Sequence, residues 1–145
     1  MREIIPQKLW IGNAIHARDI RSVLSRGIRA IVDLAANEPP ILFPRDVIYC
    51  RIPLNDGLGN EPSVLRLAVS TTSDLIKASI PTLVTCSAGM SRSPAIVAAG
   101  IAFREGREFD AVLVEIASNI PHDVSPALWN DIKSTMRCES QSEKT

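Results

Sequence analysis

The sequence holds 145 residues, the length of one ordinary domain, and 46% of them are hydrophobic, enough to build a core. Aromatic residues make up only 4%, so that core has to be filled by Ile, Leu, Val and Ala. Sixteen basic residues balance sixteen acidic ones, which removes any net-charge argument for nucleic acid or a membrane surface and leaves anion recognition to local features.

The opening MREIIPQKLW has no long apolar run, and no stretch of the chain is long enough to cross a bilayer. Three cysteines, Cys50, Cys86 and Cys138, show no paired spacing. An odd, sparse set is expected of reduced thiols in a cytoplasmic protein. His16 and His122 lie far apart and offer no zinc-ligand spacing.

In chain order, residues 2–5 and 8–11 read as short strands separated at Pro6. Asn13 caps a helix expected to run to about residue 26, where Gly27 ends it. Residues 28–34 read as a buried strand, and residues 37–44, with three prolines, as a loop. Residues 47–52 form the next strand and 53–60 a second loop. Pro62 suits the first position of a helix that carries Val64, Leu67, Ala68, Thr71 and Leu75 at helical spacing. Residues 82–86 are a strand, 87–91 a small polar loop, and Ser93 and Pro94 open a helix stopped by Gly106. Helices near 110–117 and 125–136 follow, the second with Ser125 as N-cap and Pro126 after it. The polar stretch 138–145 is expected to be a disordered tail to a domain of residues 1–137. Alternating strands and helices imply an α/β sheet with helices packed on its faces, and ligands in such folds bind where a strand's carboxyl end leads into a helix.

The segment Val84-Thr85-Cys86-Ser87-Ala88-Gly89-Met90-Ser91-Arg92-Ser93 has that form. A cysteine ends a strand, five mostly small residues follow, and an arginine opens a helix. A helix start presents unpaired backbone N–H groups and the positive end of the dipole, and a loop wrapped over it makes an anion cradle. Gly89 lets the backbone bend there. The same field favours the thiolate of Cys86 as nucleophile. Arg92 supplies two coplanar donors matched to two phosphate oxygens. Ser93 or Ser91 is placed to donate to the sulfur and ease its departure.

These residues resemble the Cys-x5-Arg-Ser signature of cysteine-dependent protein tyrosine phosphatases, and the Gly-x-Ser-Arg-Ser ending is similar to the dual-specificity branch. The resemblance extends to Leu9-Trp10-Ile11-Gly12-Asn13-Ala14, to the strand at 27–34 and to Ile52-Pro53-Leu54-Asn55-Asp56, and covers roughly residues 4–132. It implies a single domain with a central mixed, mostly parallel sheet flanked by helices. It also implies a metal-independent reaction without cofactor, through a phosphocysteine. Members that act on phosphoinositides commonly have basic residues in this loop, and the absence of lysine between Cys86 and Arg92 favours a phosphorylated protein substrate. By position it makes Cys86 the nucleophile, Arg92 the phosphate clamp, and Ser87, Ala88, Gly89, Met90 and Ser91 the cradle. Ser93 becomes the hydroxyl that assists the sulfur and Asp56 the general acid, with Glu61 and Asp46 as alternatives. The family usually has His before the cysteine; this chain has Thr85.

Two other functions fit an anion-binding cysteine loop: a phosphate-binding module with weak turnover, and a rhodanese-like sulfurtransferase. The five-residue gap, Ser93 and the upstream Asp56 favour phosphate chemistry. Cys50 is expected to be a core thiol, and Trp10 and Trp129 core rings.

Overall fold

The computed structural model describes the backbone of residues 1–142 and the side chains of residues 1–138. Five strands form one sheet: β1 (Arg2–Ile5), β2 (Leu9–Gly12), β3 (Ala30–Ala35), β4 (Ile48–Leu54) and β5 (Thr82–Thr85), in the order β1-β2-β5-β3-β4. Only β1, paired with β2, is antiparallel; β2, β5, β3 and β4 run parallel. The mixed, mostly parallel sheet is thus as expected. Every residue of β2, β3 and β5 is buried, the signature of strands covered on both faces.

The described residues also form six helices: α1 (Ala14–Arg18), α2 (Ile20–Ser25), α3 (Pro62–Lys77), α4 (Arg92–Glu105), α5 (Phe109–Ala117) and α6 (Pro126–Ser142). Strand alternation divides the core. Leu9, Ile11, Val32, Leu34 and Val84 pack with α3 to α6, whereas Trp10, Ile31 and Leu83 pack with Val23 of α2 and Ile28. Both tryptophans are core residues. From Arg92 to Ala102, α4 is buried all round, as a helix must be when it lies between a sheet and other helices. At Gly100 an added Cβ would meet Thr72 Cγ2 of α3 at 3.1 Å, so glycine lets the two helices approach closely. No helix among the described residues is long and apolar enough to cross a membrane.

Two elements differ from expectation. The helix expected from residue 13 to 26 is two helices. Asp19 ends α1 and its carboxylate accepts from Ser22 N (3.1 Å), capping α2. The apolar periodicity runs across this break, which hides it in the sequence. At the far end, α6 continues through Ser142, over most of the stretch expected as tail. Adding a turn to a helix already docked through Leu128, Ile132 and Met136 needs no new nucleation. Residues 143–145 of that expected tail lie outside the described residues.

Asp19→Ala removes the α2 cap and is expected to destabilise the protein by about 1 kcal/mol. A urea titration should show a lower midpoint with an unchanged slope.

Candidate active site

Because β2, β3, β4 and β5 are parallel, the segments that follow them all leave the same end of the sheet. That topology alone brings Gly12 and Asn13, Asn37, Asp56 and Cys86 to one side of the molecule. β5 lies between β2 and β3, so its carboxyl end opens where the chain connections diverge, the usual place for a ligand.

Cys86 follows β5 directly and is 2% exposed. Gly89 N–H donates to its Sγ (3.2 Å), a contact that stabilises negative charge on sulfur. Gly89 has φ +73°, and an added Cβ would stand 2.9 Å from Gly12 O. Glycine is therefore required twice here, by backbone conformation and by the close approach of the β2 turn. A second tie, Ala14 N–H to Ser87 O (3.2 Å), fastens the same turn to the loop. The turn itself is built by Asn13, which accepts from His16 N (2.9 Å), while His16 Nδ1 accepts from Asn13 N (3.0 Å). Burial, with smaller contributions from nearby positive charge, lowers the pKa of His16.

Among the described residues, the N–H groups of Ser87, Ala88, Met90, Ser91 and Arg92 donate no hydrogen bond within the protein. Five backbone donors thus lie in one loop at the start of a fourteen-residue helix, an arrangement whose positive field suits an anion.

Arg92 is 6% exposed and held by three segments. Its Nη1 donates to Asn37 Oδ1 (3.0 Å) and to Leu54 O (2.9 Å), and its Nη2 donates to Ser87 Oγ (3.1 Å). Ser87 Oγ donates in turn to Asn37 Oδ1 (3.0 Å). The end of the guanidinium that carries both Nη atoms therefore faces the linked Asn37–Ser87 pair. This leaves the Nε–H and the second Nη2–H, which lie side by side along the other edge, for two oxygens of a ligand. All of Arg92's partners are neutral oxygens; among the described residues no carboxylate pairs with it. A buried cation without a counter-ion is costly and strongly favours an anion.

Asp56 lies in the loop after β4. Asn60 closes that loop: its Oδ1 accepts from Asn55 N (2.7 Å) and its Nδ2 donates to Asn55 O (2.9 Å) and Gly57 O (3.3 Å). Asp56 Oδ1 accepts from Ser91 Oγ at 2.6 Å, which joins the loop after β4 to the loop between Cys86 and Arg92. Of the alternatives, Glu61 precedes α3 and makes no side-chain cap. Asp46 precedes β4 and borders Leu24, Gly27 and Arg29, at the opposite end of the sheet.

Ser93 is fully buried in the first turn of α4, and its hydroxyl has no hydrogen-bond partner. Thr85 stands opposite Gly12 and Asp33 in the sheet, and strand alternation puts it on the face away from Cys86. Cys50 is half-buried in β4, and burial pushes its thiol pKa up.

Sequence reasoning missed Asn37, Asn60 and the hydroxyl of Ser87 as parts of the site. Asn37 carried one available signal: it is a polar residue just past the carboxyl end of a fully buried parallel strand. It is kept in place from below. Arg51 Nη2 donates to Glu38 O (2.5 Å), and Arg18 donates to Pro39 O (3.4 Å).

Asn37→Ala removes an acceptor from a buried guanidinium, a hydrogen bond to a charged group worth about 1.5–3 kcal/mol. Inorganic phosphate is expected to protect Cys86 from iodoacetamide in the wild type. The variant should need about 10-fold to 100-fold more phosphate for the same protection.

No family model matches the chain. A curated relative, the dual specificity protein phosphatase Mpk3 of Drosophila melanogaster, is 28% identical over 126 residues, which are 86% of this chain. The chain spans only 30% of that relative's length. Among solved structures, human DUSP28 superposes with a TM-score of 0.83 at 19% identity, covering 98% of this chain and 99% of that one. DUSP15 does so with a TM-score of 0.74 at 26% identity, covering 99% and 95%. The human tyrosine phosphatase-like serine/threonine/tyrosine-interacting protein gives 0.81 at 19% identity, covering 97% of each chain. The chain is dual-specificity-phosphatase-like: it shares the fold of the cysteine-dependent protein tyrosine phosphatase superfamily.

Proposed function

We propose that this phosphatase-like chain hydrolyses phosphate monoesters on proteins through a phosphocysteine intermediate. The observation that carries the reading is the buried Arg92, which has only neutral partners and stands at the end of a loop that begins at a buried cysteine and carries five free N–H groups. A dianionic phosphoryl group satisfies all of these at once.

In the first step the Cys86 thiolate attacks phosphorus. A P–S bond forms and the P–O bond to the substrate breaks. Asp56 gives its proton to the departing oxygen. In the second step Asp56, now a carboxylate, takes a proton from water. The water oxygen bonds to phosphorus, the P–S bond breaks and its electron pair returns to sulfur. Ser93 donates to that sulfur as it leaves. A hydroxyl without a partner in the buried protein has free capacity for this, and leaving it unsatisfied otherwise costs about 1–3 kcal/mol. The cradle and Arg92 hold the three non-bridging oxygens throughout and supply the positive field in which charge develops.

A phosphoprotein substrate is favoured over a phosphoinositide because no lysine stands between Cys86 and Arg92. The name of the curated relative, a dual specificity protein phosphatase, points the same way. Sulfur transfer is disfavoured by the five-residue gap and by the carboxylate tied to the cradle.

Cys86→Ser is expected to abolish phosphate release from phosphopeptides while retaining phosphopeptide binding, since the N–H groups and Arg92 remain. Substantial residual turnover would remove Cys86 as nucleophile. Asp56→Asn is expected to slow an unactivated alkyl or phenyl phosphate by about 10²–10⁴, the usual worth of general acid catalysis. A nitrophenyl phosphate, whose leaving group needs no proton, should lose far less. Equal losses on the two esters would transfer the acid's role to another residue, with Glu61 the next to test.

A further inference from the structure

We propose that Ser91 is the positioning residue of the general acid, fixing which oxygen of Asp56 carries the proton and where it points. The inference rests on the phosphatase reading and assigns Ser91 a role beyond lining the cradle.

Ser91 Oγ stands between two partners. Ser125 N–H donates to it (2.9 Å), and it lies 2.6 Å from Asp56 Oδ1. A serine hydroxyl has one proton and two lone pairs. The Ser125 N–H occupies a lone pair, so the proton has to go elsewhere. Ser91 is 6% exposed, and among the described residues Asp56 is the only acceptor its hydroxyl has. Turning the O–H away would leave a buried donor unsatisfied, which is unfavourable. The hydroxyl therefore donates to Oδ1 whether Asp56 is charged or neutral, and the acid's proton resides on Oδ2, the oxygen free to meet a leaving group.

The constraint is needed because Asp56 itself is exposed, on a turn that continues through Gly57 and Gly59, both at positive φ. An aspartate in such a place has several rotamers available. Ser91 selects one, and it does so from within the cradle, between Met90 and Arg92. The acid is thereby positioned relative to the bound phosphoryl group rather than to its own loop.

The other side of the relay is equally anchored. Asp123 N–H donates to Met90 O (2.7 Å), two residues before Ser125. Ser125 Oγ accepts from Leu128 N (3.3 Å) at the start of α6. The segment entering α6 thus holds two successive residues of the cradle, and the hydroxyl that orients Asp56 is oriented by it. The sequence alone left Ser91 and Ser93 as alternative donors to the sulfur; the geometry commits the Ser91 hydroxyl to the carboxylate instead.

A double-mutant cycle tests this with two esters, one unactivated (phenyl phosphate) and one activated (nitrophenyl phosphate). The readout is the ratio of their kcat/KM values, which does not depend on the fraction of folded protein. Loss of a hydrogen bond to a carboxylate, worth about 1.5–3 kcal/mol, predicts that Ser91→Ala lowers the unactivated-to-activated ratio by about 10-fold or more. Ser91→Thr, which keeps a hydroxyl, should recover much of it. In an Asp56→Asn background Ser91→Ala should leave the ratio unchanged, because its effect passes through the carboxylate. The proposal is overturned if Ser91→Ala slows both esters by the same factor, or if its effect on the ratio persists undiminished in the Asp56→Asn background. An Asp56→Asn variant that itself treats the two esters alike would overturn the acid assignment, and the proposal with it.

Discussion

The site depends on one buried guanidinium. Arg92 has to be taken out of water at the first turn of α4, and the protein offers it only neutral oxygens: an amide, a carbonyl and a hydroxyl. Removing a cation from water without a counter-charge is expensive, and neutral hydrogen bonds offset only part of that cost. The remainder is what an anionic ligand relieves on binding. The same contacts also set shape. They draw the β3–β4 loop, the end of β4 and the cradle onto one group, and they turn the guanidinium so that one edge remains for two ligand oxygens. In the proposed function, affinity and orientation for a phosphoryl group thus come from a single arrangement.

The fold's part is to bring those segments together. Four parallel strands deliver their following loops to the same end of the sheet, and the fully buried α4 starts where β5 stops. The cradle is braced from three directions: by the Gly12–Asn13 turn against Gly89, by Asn37 against Ser87, and by the segment before α6 against Met90 and Ser91. Backbone donors held this way are preorganised, and they undergo little rearrangement when charge builds up on a transferring group.

The placement of Cys86 and Arg92 at the two ends of one strand–loop–helix segment was legible in the sequence because it is local. Seven consecutive residues carry a strand end, a bend at Gly89 and a helix start. The elements around them were legible through hydrophobic period, Pro62, Gly106 and Ser125. What escaped was non-local or locally ambiguous. Asn37 meets partners 50 and 55 residues away, and no period or spacing marks such an encounter. The break at Asp19 is concealed by an apolar pattern that continues through it. The roles of Ser91 and Ser93 cannot be separated along the chain, where both adjoin Arg92. The first turn of α4 separates them in space, burying Ser93 without a partner and turning Ser91 to Asp56.

The covalent intermediate is the central claim, and trapping it is the most direct test. The protein would be mixed with an aryl phosphate labelled with ³²P, quenched with acid within the first turnovers, digested and mapped. Label confined to the peptide that contains Cys86, released by conditions that cleave a thiophosphate and absent in Cys86→Ser, is the result predicted here. Phosphate release with no labelled peptide, or label on a serine or aspartate instead, would contradict it.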